Sequence, residues 1–173
     1  MMLSWVIMAF NEPTLEPYLA QVRMNTAEVG VVFMVQFASY TFGSICSAVL
    51  CNIKMEIPFG FVGHTLSILA YLLLGPAPFI PYEATTWMVY VSQVFIGVGI
   101  AAQFACHYSH ALKVAGDRGY PHSTRTISFI SSVVFSSLMI VATATSPVAG
   151  YVVEKYGYRN GSMVLLAFLV LWV

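Results

Sequence analysis

TISFISSVVFSSLMIVATATSPVAGYVV, Thr126 to Val153, lies between Arg125 and Glu154 and holds no charged side chain. It exceeds the roughly 20 residues a helix needs to cross about 30 Å of hydrocarbon. Lipid offers the backbone no hydrogen bonds, so a run like this closes its own peptide groups as a helix and not as an open strand. Three more charge-free runs lie upstream, between Glu28 and Lys54, Glu56 and Glu83, and Glu83 and Lys113. Each is also long enough to span.

The rest of the chain agrees. Of 173 residues, 59% are hydrophobic and 8% charged, where a soluble domain carries about 25% charged residues. Mean hydropathy is +0.81. Too little polar surface remains for a water-facing shell, so this is an integral, multi-pass membrane protein. Net charge is zero, which leaves no basic footprint for nucleic acid. Cys46, Cys51 and Cys106 all fall in apolar runs and give neither a zinc spacing nor a disulfide framework. MMLSWVIMAF lacks the positive start and small-residue cleavage site of a signal peptide.

The two ends add helices of another kind. Met1 to Leu19 spans only with Glu12 and Glu16 inside or at its edge, and Asn160 to Val173 is apolar but short. The expectation is one all-α domain over 1–173: a six-helix bundle whose first and last helices are truncated. Basic residues give an orientation. Lys54, Lys113, Arg118 and Arg125 follow the second and fourth helices, against Arg23, Lys155 and Arg159 on the other side, which puts the first set in the cytoplasm. Val31-Val32-Phe33 before Lys54 and Val133-Val134-Phe135 before Lys155 form a faint internal repeat, the build of a three-plus-three inverted half-transporter.

Within FNEPTLEPYL, Phe10 to Leu19, two Glu-Pro pairs stand four residues apart. In a helix Glu12 and Glu16 share a face. Pro13 and Pro17 remove two backbone donors and free the carbonyls of Ala9 and Pro13, so a helix break is expected there. Carboxylates gathered with free carbonyl oxygens suit a proton or a cation. The plain alternative is a helix end with glutamates at the interface, which suits Glu16 better than the deeper Glu12.

Gly97, Ala101 and Ala105 make a small-residue face for close helix packing, with Gly99 nearby. Gln93 and Gln103 either line a polar path or bond to a neighbouring helix. His107 and His110 have no third ligand near them in sequence, so no metal site is expected, and no cofactor. The serines and threonines before Pro147, where a third helix break is placed, are expected to bond backbone or adjoining helices. With no GxSxG motif they do not read as an enzyme's nucleophile.

EPTLEPYL, Gly30 to Tyr40, YLLLGPAPFI at Tyr71 to Ile80, GVG at Gly97 to Gly99, and SPVAG with EKYGY at Ser146 to Tyr158 together resemble the C-terminal half of a major facilitator superfamily transporter. The similarity is greatest to the vesicular amine and polyamine branch, the polyamine type above the monoamine type. It implies proton antiport of a small organic cation into vesicles, with Glu12 as the functional glutamate and a missing N-terminal six-helix half as partner. Cys106 and Ser136 stand where monoamine-type members carry acids. Ala48 and Asn52 stand where the loop motif has Gly and Asp, and Ser146-Pro147 replaces a Gly-Pro. Two other readings remain: a degenerate, non-transporting membrane fragment, and a facilitator of a different solute.

Overall fold

The computed structural model describes residues 2–22, 24–53, 55–75 and 85–172. These form six helices: α1 Met2–Gln21, α2 Thr26–Asn52, α3 Glu56–Leu74, α4 Thr86–Asp117, α5 Thr124–Tyr156 and α6 Tyr158–Trp172. Among the described residues there is no strand. Helices α2 to α5 are each long and apolar enough to cross a membrane, and they coincide with the four charge-free runs. The chemistry at their boundaries explains the stops. Glu28 reaches back to accept from the Asn25 backbone N–H at 2.8 Å, which satisfies a donor at the start of α2. Ser123 accepts from the Thr126 N–H at the start of α5. Gly157, at φ 80, turns the chain between α5 and α6 in a backbone region that L side chains rarely adopt.

Helix α4 is the centre of the bundle. It packs along α2 on one side and α3 on the other, while α1 packs chiefly on α5, and α6 bridges α5 and α3. Two small-residue contacts set the spacing around α4. A Cβ on Gly97 would stand 2.4 Å from the Gln36 carbonyl oxygen of α2, and one on Gly99 would stand 2.6 Å from Ser67 Oγ of α3. Ala101 meets Gly43 of α2, and Ala102 meets Gly63 of α3. Ala105 is half-buried.

Tyrosines tie α1 to the other side of the bundle. Tyr18 donates to the Leu74 carbonyl at 3.0 Å and stacks on Tyr158 with ring centroids 4.1 Å apart. Tyr71 of α3 donates to Asn11 Oδ1 at 3.0 Å. Large apolar side chains of α2 and α5, such as Met34, Phe42, Phe129 and Ile140, face outward, as lipid or a membrane partner allows.

The expected helix breaks do not occur. α1 runs continuously through Pro13 and Pro17, and α5 through Pro147. The Ala9 carbonyl, whose intrahelical donor Pro13 removes, accepts from Ser146 Oγ at 3.2 Å. A membrane helix keeps its course through proline when a neighbouring hydroxyl takes over the freed carbonyl. Four other hydroxyls of α5 bond backbone as expected: Ser132, Ser137, Thr143 and Thr145 each donate to the carbonyl four residues back. Ser131 donates to the Ile127 carbonyl and also pairs with the Tyr108 hydroxyl of α4.

Ser146→Ala removes the donor and leaves the Ala9 carbonyl unpaired. The expected loss is about 0.5–2 kcal/mol, the range for interhelical hydrogen bonds in membranes. Detergent unfolding of Ser146→Ala against Ser132→Ala measures it, since Ser132 bonds only within its own helix. Equal unfolding midpoints would remove Ser146 as the support of the proline turn.

A candidate solute-binding face on helix α1

The periodicity of α1 divides it sharply. Ile7, Asn11, Thr14, Leu15 and Tyr18 are buried against the bundle, whereas Glu12, Pro13, Glu16 and Pro17 are exposed. Glu12 and Glu16 are a single turn apart on that outer strip, as four-residue spacing in an unbroken helix requires. Among the described residues neither carboxylate has a hydrogen-bond or ion-pair partner. The carbonyls expected to join them as free acceptors do not all do so, since Ala9's is taken by Ser146.

The bundle also buries polar side chains, of which the sequence reading singled out Gln93 but not Asn11 or Gln36. Asn11, next to Glu12, is 1% exposed and uses its carbonyl oxygen for Tyr71, while its Nδ2 donor is unpaired. Asparagine beside glutamate in an apolar run was the available signal. On α4, Gln93 is fully buried, and neither end of its amide has a partner among the described residues. On α2, Gln36 is buried with its Oε1 unpaired, and its backbone lies against Gly97, one turn along α4 from Gln93. Unpaired buried amides carry a full desolvation cost, and sites that later receive water or a polar solute are where such groups are kept.

Gln103 is different. Its Nε2 donates to Ser67 Oγ at 2.9 Å and to the Gly63 carbonyl at 3.2 Å. It therefore pins α4 to α3 where the glycines bring the two backbones together. Its amide nitrogen thus makes the helix-bonding contact, while its buried Oε1 has no partner among the described residues.

The basic residues assigned to the cytoplasmic end have separate settings. Lys54 lies outside the described residues. Lys113 is within α4 and forms an ion pair with Glu56 at the start of α3. Arg118 follows the last residue of α4, and Arg125 lies in the first turn of α5. The three cysteines are free, with the Sγ atoms of Cys51 and Cys106 3.6 Å apart across α2 and α4.

No protein-family model and no solved structure matches the chain. Curated proteins do. It is 24% identical over 154 residues to the MFS-type transporter SLC18B1 of Rattus norvegicus, covering 87% of this chain and 34% of that protein. It is 23% identical to the Homo sapiens protein of that name with the same coverage, and 24% identical to the Mus musculus one over 155 residues. The chain thus spans about a third of the length of the curated relatives it matches. With four long apolar helices and this similarity over most of its length, the chain is an integral membrane protein related to the MFS-type transporters.

Proposed function

We propose that this chain is one six-helix half of a secondary transporter that exchanges a small organic cation, an amine or polyamine, for protons. The observation that carries the reading is the outer strip of α1, where Glu12 and Glu16 stand on an unpacked face of a helix packed against the membrane-length helix α5. A carboxylate facing hydrocarbon is expensive, and such residues face a bundle interior or a watery cavity. The strip therefore calls for a second half opposite it, with a solvated path between the two. A cationic solute and a proton are the two ligands for which one carboxylate competes, and that competition couples their opposed movements.

One helix pairing is in keeping with a three-plus-three inverted repeat. Exchanging the first three helices for the last three turns the α2–α4 pair into an α5–α1 pair, and both are packed, whereas the equally close α3–α4 pair has only a weak α6–α1 counterpart. Such repeats form the halves of many secondary transporters, with the solute site at their interface. Gln93 and Asn11 are the polar groups this reading assigns to the site behind Glu12. A vesicle membrane as location rests on the sequence resemblance.

Uptake tests the reading. The chain is reconstituted in liposomes by itself and together with a six-helix N-terminal half, and labelled polyamine uptake is followed under an imposed proton gradient. Uptake is expected from the pair and not from the chain alone. Transport by this chain alone would make it sufficient, as an assembly of its own copies. No transport from either preparation would favour the non-transporting fragment.

A further inference from the structure

At the end of the bundle that carries the α4–α5 connection, α3 and α4 border a cavity of about 270 Å³. Glu56, Gly60 and His64 line it from one stripe of α3, at successive four-residue steps, and Cys106, His107 and His110 line it from α4. Gly60 leaves the space open, since even a Cβ there would be 3.6 Å from the His107 ring. The rings of His64 and His107 meet edge to face with centroids 5.9 Å apart.

The hydrogen bonds fix the chemistry of this pair. His107 Nδ1 lies 2.5 Å from the Gln103 carbonyl oxygen, which can only accept, so Nδ1 carries the hydrogen and Nε2 keeps its lone pair. His64 is 7% exposed, and its Nδ1 has no partner among the described residues. His110, one turn beyond His107, is exposed at the rim. The other titratable or charged groups around the cavity are Glu56 on α3, Cys106 and Lys113 on α4, and Cys51 of α2 behind Cys106. Glu56 is already matched by Lys113, so among the described residues the cavity has no free carboxylate to bind a cation.

We propose that His64 and His107 form a proton-binding site that takes one proton between them, loaded from the aqueous end past His110. Imidazole is the side chain whose unperturbed charge change falls near neutral pH, and each ring of this pair offers an unused lone pair. Two adjacent imidazolium ions repel, so a second proton enters only at much lower pH. This goes beyond the transport reading: proton binding is measured on the chain without transport, and its failure leaves that reading untouched.

The chain has four histidines, few enough to follow individually by NMR with ring-labelled histidine in lipid nanodiscs. His64 and His107 are expected to titrate through a shared midpoint, each showing part of the full shift change. In His64→Gln, His107 should pass through its whole change in one step. Two rim variants keep both rings and carry the test should His64→Gln not fold. Lys113→Gln removes a positive neighbour and should raise the midpoint; Glu56→Gln removes a negative one and should lower it. Each change is expected at roughly twofold to tenfold in proton affinity. Separate full-amplitude titrations, or a midpoint indifferent to both rim variants, would overturn the proposal. So would rings that do not titrate.

Discussion

If the proposed function holds, Glu12→Gln, in the chain combined with a six-helix N-terminal half, is expected to bring proton-driven cation uptake down to background. Glutamine keeps the size and reach of the side chain but cannot ionise, so it neither binds a proton nor attracts a cation. Glu12→Asp retains the charge one methylene closer to the backbone and should keep part of the activity. Glu16→Gln should leave most of it. The two glutamates share one exposed strip, but Glu16 is closer to the end of α1 at Gln21, where water competes for the same role. Asn11 and its bond to Tyr71 give Glu12 a buried polar neighbour as well. Proteoliposome uptake at matched expression decides the matter. Glu12→Gln transporting like its parent would move the site off this face.

Gly97→Ala is expected to destabilise the bundle, while Gly30→Ala should not. The added methyl at Gly97 would stand 2.4 Å from the Gln36 carbonyl oxygen, with Ser39 Cβ and the Tyr40 nitrogen at 2.8 Å. Two of these three atoms are backbone and cannot swing aside, so α2 and α4 must separate along their main contact. Overpacking of this kind costs about 1–3 kcal/mol. At Gly30 nothing lies within 4 Å of the added carbon, and alanine there gains up to about 1 kcal/mol of helix propensity. The two substitutions add the same atom to a helix of the same protein and should move the unfolding midpoint in opposite directions. Titration with a denaturing detergent in mixed micelles reads the difference. If Gly97→Ala proved as stable as Gly30→Ala, the close α2–α4 approach would not hold in the membrane.

The helices were legible in the sequence because the bilayer is a severe solvent. A span must carry few charges and satisfy its own backbone, so the runs ending at Lys54, Glu83, Lys113 and Glu154 mark the elements directly. The small residues of α4 announced close packing for the same reason, since apolar side chains alone give helices little preference for one another in lipid. Boundaries moved by a few residues. α4 continues past Lys113 to Asp117, because that lysine is held by Glu56 of α3 and does not mark the end of the helix. α6 starts at Tyr158 because Gly157 makes the turn.

Everything that depends on which faces meet had to come from the tertiary structure. The two glycines of GVG serve different neighbours, Gly97 against α2 and Gly99 against α3, since positions two apart point to nearly opposite sides of a helix. The prolines of α1 read as a break because the local chain holds no replacement donor for the Ala9 carbonyl. The donor is Ser146, from α5. His64 and His107 likewise come together because Gly63 lets α3 lie close along α4. Local sequence sets what each backbone must do to survive in lipid. A carbonyl's partner, a cavity's walls and the open face of α1 are settled by contacts between segments far apart in the chain, which no single stretch encodes.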